Sequence, residues 1–479
     1  MYSAAPASTS ARGLHIADWS RRNAHVVIAT AVYACAVVVG LSNEFVQDTW
    51  LSITGGRDIA RHGLPWHERL TVLKHGAPWI DQQWLGKLTL YAATAVGGFR
   101  LLALLHVALL VCAFAGAMLV ARRSGASDRA TFWVAAATIP AAPWAWQLRV
   151  QSLAYVLFVA VLALLVADAR ARSRRVWLVF PLVALWANVH GSVTLGAALI
   201  FLAGLLEICR RQLRGLALAG GALASVFLSP YGFALVHYYR SLLFNPLMGD
   251  YVGEWRPSSF PGALPFFVLV VAVAMLVARN WARFTMFEGL ALVTTGAAGF
   301  MAVRGIVWFL LTAIVIVPKA VDAELPSRRT PSRLIPGLAL ASVATAILLS
   351  FVGIGRLPGQ VAAAFPDAAA QVVAREAAVH PKARIYASER FADWLLWTDP
   401  ALSGRLVSDV RFELFDRADF DRLGAFHARA GAGWKRILDN ARIVVLDRKT
   451  DGAPARALLA EPHARLRFSN ADLAVIDRG

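Results

Sequence analysis

The stretch Asp48-Thr-Trp-Leu-Ser-Ile-Thr-Gly-Gly-Arg-Asp-Ile-Ala-Arg-His-Gly-Leu-Pro65, continued by Gly76-Ala-Pro-Trp79 and Trp84-Leu-Gly-Lys87, breaks an otherwise apolar sequence. Trp50, Ile53 and Ile59 recur at near-helical spacing, and Gly63 with Pro65 ends that helix. Trp84, Leu85, Leu88 and Tyr91 open a second amphipathic helix. The polar loop 43–87 is therefore expected to lie along a membrane surface.

Around this loop, the 479 residues are 58% hydrophobic and only 16% charged, against about 25% charged in soluble domains. A purely soluble protein is excluded. Apolar runs of roughly 17 to 20 residues recur from Val26 to Val352, each long enough to cross a hydrocarbon core about 30 Å thick. The net charge of +18 would suggest nucleic acid in a soluble chain, but here its location points to topology, and no nucleic-acid partner is expected. Basic clusters fall in every second loop: Arg12, Arg21 and Arg22; Arg122 and Arg123; Arg170 to Arg175; Arg210 to Arg214; Arg279 and Arg283; Lys319 to Arg333. Placing them all in the cytoplasm gives about eleven transmembrane helices. The expected organisation is a cytoplasmic segment 1–25, a transmembrane domain 26–355 and an extracytoplasmic domain 356–479. The first apolar run has no small-residue cleavage pattern after it and is read as a retained span. Cys35, Cys112 and Cys209 are too few and too scattered for a disulfide framework or metal site.

The chain after Gly355 changes character. Apolar alternation at 383–387, 405–408, 442–447 and 472–476 reads as strands, and 367–379 and 454–460 read as helices. A small α/β domain results, expected to support the membrane part or select an acceptor.

The spans are nearly free of polar residues. Instead, Asp48, Arg149, Gln151, Asn188, His190, Glu254, Trp255 and Arg304 gather at their outer ends with several tryptophans. An alternating-access transporter would carry polar residues near the midplane. The segment between Arg175 and Asn188 holds only about twelve residues, which cover roughly 18 Å of the core. Asn188 and His190 are thus expected below the outer surface, either lining a site or bonding neighbouring helices while Gly191 permits close packing.

Asp48-Thr-Trp50, Gly56-Arg57-Asp58-Ile59, Gly63-Leu-Pro65, Glu68, Gly76-Ala-Pro78-Trp79 and Trp84-Leu85 resemble, in order, the first outer loop of bacterial members of the GT-C superfamily of integral-membrane glycosyltransferases. The resemblance continues through Asn188-Val-His190-Gly191, Glu254-Trp255, Arg304, Asp393-Trp-Leu-Leu-Trp397 and Ser408-Asp-Val-Arg411-Phe-Glu413. Departures are Glu68 where aspartate is usual, Gln83 where a glutamate is usual, and Val410 in place of glycine.

The resemblance implies a mostly α, GT-C-like protein of the bacterial inner membrane, and the placement of the basic clusters puts its N-terminus in the cytoplasm. It would transfer sugar from a polyprenyl-phosphate-linked donor to an envelope lipid or glycan acceptor on the extracytoplasmic face. Such chemistry needs a base for an acceptor hydroxyl and cations for the departing phosphate. Asp48 is the expected base, Arg149 and Arg304 the phosphate clamp, and Glu68, Asn188, His190, Glu254 and Trp255 further substrate-binding residues. No cofactor is implied with certainty, and because Gln83 offers an amide, a divalent metal stays an open alternative. Structural readings stand beside these: Asp48 as a helix cap, the arginines as interfacial anchors, Glu68 as a solvated carboxylate, and Glu254-Trp255 as a surface pair. At the level of function, the alternatives are a non-catalytic scaffold or binding subunit in envelope polysaccharide assembly and, less favoured, a lipid-linked glycan transporter. No phosphate-binding loop or nucleophile elbow competes.

Overall fold

The computed structural model describes residues 22–243, 246–325 and 334–479. The segment 1–21 and the basic cluster at 328–333 lie outside the described residues. Helices occupy every apolar run the sequence contains. Among the described residues, four are individually long and apolar enough to cross a membrane: Ala24–Glu44 (α1), Trp84–Arg123 (α3), Gln151–Arg170 and Leu334–Ala364. Val303–Ile316 and Pro318–Glu324 together make a fifth candidate, bent by 55°. Val193–Cys209, Arg214–Val226, Leu264–Arg279 and Met286–Met301 are shorter apolar helices. Their buried faces share one core that includes Phe114, Phe158, Trp186, Phe266 and Trp308.

The polar loop opens with α2 (Gln47–His62), whose buried residues Trp50, Ile53 and Ile59 follow the helical spacing read from the sequence. α3 begins at Trp84, where its first part packs on α2, and it kinks where Gly97 and Gly98 leave helical geometry. Only glycine fits at position 56, since a Cβ there would lie 2.2 Å from the Lys87 carbonyl oxygen. That close approach sets how Lys87 sits beside α2.

The last long helix does not stop at Gly355 but runs on to Ala364, because Leu357 and Val361 stand one turn apart and bury against the loop and tail. Beyond it lies a four-stranded sheet in the order β1 (Ile385–Ala387), β2 (Ile443–Asp447), β4 (Leu473–Asp477), β3 (Arg465–Ser469). β1 runs parallel to β2 in the register Ile385 to Ile443, and β4 is antiparallel to both β2 and β3. β2 and β4 are buried along their whole length, as central strands covered on both faces are. β3 is an exposed edge whose Arg465 and Arg467 guard it against pairing with another chain. That mixed, charged composition hides it from a search for alternation. Residues 405–408, read as a strand, instead form single bridges: Leu406 pairs with both Ile385 and Thr71.

The bridge to Thr71 joins the loop to the tail. Val72 N–H donates to Leu406 O at 2.7 Å, Leu73 N–H to Val407 O at 3.0 Å, and Gly404 N–H to Leu70 O at 2.8 Å. Arg57 donates to the carbonyls of Leu396 and Trp397 and lies over the Trp397 ring at 4.8 Å. One apolar core then runs from Trp50, Ile53 and Leu70 through Phe365 to Trp394 and Ile385.

Candidate active site

A cavity of about 380 Å³ opens where the polar loop, several helix ends and the tail meet. Asp48 and Ser52 come from the first turns of α2, Asp81 from the loop just before α3, Lys87 from the first turn of α3, and Arg149 from the turn before Gln151–Arg170. His190 and Ser192 come from the turn between two apolar helices, Glu254 and Trp255 from a short 3-10 turn, and Arg304 from another. The site is discontinuous in sequence, so no local motif spells it out.

Glu254 is its hinge. Arg304 Nη1 donates to Glu254 Oε1 at 2.9 Å, and Arg149 donates to Oε2. Arg149 Nη1 also lies 3.4 Å from Asp48 Oδ2, while its buried Nε has no acceptor among the described residues. The Arg304 guanidinium stacks 4.7 Å above the Trp255 ring, a geometry that a planar cation favours. Six expected residues therefore share one cavity: Asp48, Arg149, His190, Glu254, Trp255 and Arg304.

The two carboxyls are pushed in opposite directions. Burial raises the Asp48 carboxyl above its ordinary value, Arg149 opposes that, and the Glu254 charge adds to it. Burial also pushes Glu254 up, but Arg304 and Arg149 outweigh it and hold the carboxyl down to about 2. Paired carboxyls separated in this way have distinct roles, one poised for proton transfer and one permanently ionised. Asp48 is not the helix cap: the N-cap position of α2 is Val46, and it is Thr49 Oγ1 that accepts from the Val46 N–H, at 3.2 Å.

His190 Nδ1 accepts from Ser192 N–H at 3.1 Å, which leaves the ring proton on Nε2 as a donor. Lys87, unflagged by the sequence because it lies inside a helical pattern, is buried against Asp81 at 2.6 Å and lines the same cavity. Asp81, an acid of the polar loop, is likewise buried by the fold of that loop.

Two expected binding residues are not among those that line the cavity. Asn188 is consumed by packing: Oδ1 accepts from Trp84 Nε1 at 2.8 Å, and Nδ2 donates to Ala184 O and Leu228 O, both at 2.8 Å. Glu68 is buried rather than solvated. Its Oε1 accepts from Leu70 N–H and Thr71 N–H, each at 2.7 Å, and both oxygens pair with Arg411. An amide or carboxylate whose lone pairs and protons are already used inside the protein has none to offer a ligand.

As for a metal, among the described residues no group of three or more His, Cys, Asp or Glu is arranged to hold an ion. Three of the cavity acids, Asp48, Asp81 and Glu254, each face a cation already, and among the described residues the cavity holds no set of ligands that fits a metal.

A helical membrane bundle, a long first loop folded on the surface, a helix-end cavity and a terminal α/β unit together define a polytopic membrane protein with a GT-C-like fold. The fold is similar to that of ArnT from Cupriavidus metallidurans, a GT-C glycosyltransferase. ArnT bound to undecaprenyl phosphate matches at a TM-score of 0.53 and 16% identity, over 94% of this chain and 97% of that one. The apo state of the same protein matches at 0.52 and 15%, with the same coverage. No protein-family model matches the chain, and no curated protein matches it.

Proposed function

We propose that this protein is a membrane glycosyltransferase that moves a sugar from a polyprenyl-phosphate donor to a lipid or glycan acceptor of the cell envelope. Its N-terminus lies in the cytoplasm, its site and tail lie on the extracytoplasmic face of the bacterial inner membrane, and about eleven spans anchor it. The observation that carries the reading is the convergence of Asp48, Arg149, His190 and Arg304 on one cavity at the helix ends. The ArnT structure holding undecaprenyl phosphate shares this fold, which supports a lipid phosphate as ligand.

In this reading Asp48 takes the proton of an acceptor hydroxyl as its oxygen attacks the anomeric carbon. The bond between that carbon and the phosphate oxygen breaks, and its electron pair leaves with the polyprenyl phosphate. Arg149 and Arg304 stabilise the departing charge, since guanidinium forks match phosphate oxygens. The free Nε–H of Arg149 and the Nε2–H of His190 add donors. Glu254 keeps the two guanidinia charged and in place until the phosphate arrives. No step is routed through a metal.

The test is Asp48→Asn in purified protein given undecaprenyl-phosphate-linked sugars. Transfer should fall by about 10²- to 10⁴-fold, as for loss of a general base, with undecaprenyl phosphate binding retained. Full turnover in that variant sinks the base assignment. One observation favours a second reading, a non-catalytic binding subunit: Gln83, which stands where the GT-C resemblance leads one to expect a glutamate, lines the cavity. Binding of the lipid phosphate with no transfer to any acceptor by the unmodified protein would establish it.

A further inference from the structure

The tail does more than rest on the loop. Val410, Phe412 and Glu413, all from the tail, form part of the cavity wall together with Trp79, Lys87 and Tyr238. They are placed rigidly. Arg411, between them, is fully buried: its N–H and Nε donate to the two oxygens of Asp409 at 3.0 and 2.8 Å, and its Nη2 donates to Glu68 at 2.8 Å. Its guanidinium lies 4.6 Å over the Trp79 ring. The Phe412–Leu414 turn that follows is closed by Phe415 N–H donating to Phe412 O at 3.1 Å.

Glu413 differs from the other acids of the cavity. Asp48, Asp81 and Glu254 each have a cationic partner, whereas among the described residues Glu413 has no ion pair. Trp79 Nε1 donates to its Oε1 at 3.3 Å, and the backbone N–H of Glu413 itself also bonds the carboxyl. Among the described residues, no other side chain hydrogen-bonds the second oxygen. A carboxyl group with one oxygen steered by an indole, in a pocket also lined by Tyr238 and Phe412, matches a saccharide: hydroxyls donate to the oxygen while apolar faces of the sugar meet the rings.

We infer that Glu413 is a specificity-determining residue through which the tail recognises a sugar hydroxyl inside the membrane protein's cavity. This rests on the glycosyltransferase reading above and assigns the tail a ligand contact within it. A site built to bond a hydroxyl rejects the analogue lacking it, because the polar group is then left unmatched. The sugar that Glu413 reads belongs either to the lipid-linked donor or to a saccharide acceptor, and the same chemistry serves both.

The experiment compares full-length protein with Glu413→Gln and Glu413→Asp in three titrations. The probes are bare undecaprenyl phosphate, a panel of undecaprenyl-phosphate hexoses and pentoses, and methyl glycosides added at saturating undecaprenyl phosphate. The variants should bind bare undecaprenyl phosphate unchanged and lose about tenfold or more in affinity for a sugar-bearing probe, the worth of one hydrogen bond to a charged group. Loss confined to the lipid-linked sugars assigns the contact to the donor, and loss confined to the methyl glycosides assigns it to the acceptor. Unchanged affinity for every sugar-bearing probe, or an equal loss for bare undecaprenyl phosphate, overturns the inference and leaves the glycosyltransferase reading intact. If the unmodified protein binds none of the lipids, that reading falls first and this one with it.

Discussion

Glu254 Oε1 accepts from Arg304 Nη1 at 2.9 Å, and the other face of the same carboxylate is taken by Arg149. Both guanidinia that would grip a phosphate are therefore held by an internal anion. Removing one partner of a buried ion pair leaves an uncompensated charge and costs about 3 to 5 kcal/mol. Glu254→Gln should accordingly lower the melting temperature of the ligand-free protein and enlarge the rise produced by undecaprenyl phosphate, which restores the missing charge. A ligand-induced rise no larger than in the unmodified protein would show that the phosphate binds elsewhere.

The pH dependence of transfer should carry the same signature. Asp48 works as a base only when ionised, and burial, partly opposed by Arg149, raises its carboxyl. The acidic limb of kcat/KM should thus lie above the ordinary aspartate value of about 3.9, with activity rising as pH climbs through it. Because the Glu254 charge contributes to the elevation, Glu254→Gln should shift the limb to lower pH. A limb at the ordinary value in both proteins would remove the proton-transfer role from Asp48.

What the sequence disclosed follows from how each feature is encoded. The apolar helices are written in runs of single residues, and α2 in the spacing of Trp50, Ile53 and Ile59, so both were legible. The polar residues at the helix ends were legible as a group because apolar sequence surrounds them. Pairing was not: nothing near Glu254 in sequence announces that Arg149 and Arg304 converge on it from 105 and 50 residues away. Glu68, Asp81 and Lys87 were misjudged or passed over because a charged residue in a polar loop is usually solvated, and here the tail and α2 close over them. Glu413 was legible only as part of a motif, since its approach to Trp79 spans 334 positions.

The buried contact of Glu68 with Arg411 leads to a stability prediction that separates structure from binding. Glu68 satisfies two backbone N–H groups of the loop and the guanidinium of the tail at once. Glu68→Ala strands all of them and should cost about 3 to 5 kcal/mol, exposing the tail to limited proteolysis in the absence of any ligand. If Glu68 bound substrate instead, the variant would keep its melting temperature and protease resistance and lose only affinity.

Asp393 offers the reverse case, a buried acid whose ionisation works against the fold. It lies in the helix Glu389–Thr398, fully buried, and among the described residues no side chain hydrogen-bonds either carboxyl oxygen, the backbone of Val410 being its one weak polar neighbour. Burial pushes this carboxyl well above its ordinary value, the nearby Asp409 adds to the shift, and Arg411 and Lys87 oppose it. A carboxyl raised in the folded state binds its proton more tightly there than in the unfolded chain. Its favourable contribution is therefore complete below the unfolded value of about 3.9 and is lost as pH rises toward the folded value. Asn has the size of Asp and no charge, so Asp393→Asn removes the ionisation while keeping the shape. The variant should melt close to the unmodified protein near about pH 4 and above it at about pH 8, the gap widening with pH between those limits. Full-length protein in detergent, melted across that range, provides the measurement. A gap that stays constant with pH would show that Asp393 is ionised in the folded state throughout, with Arg411 and Lys87 outweighing its burial.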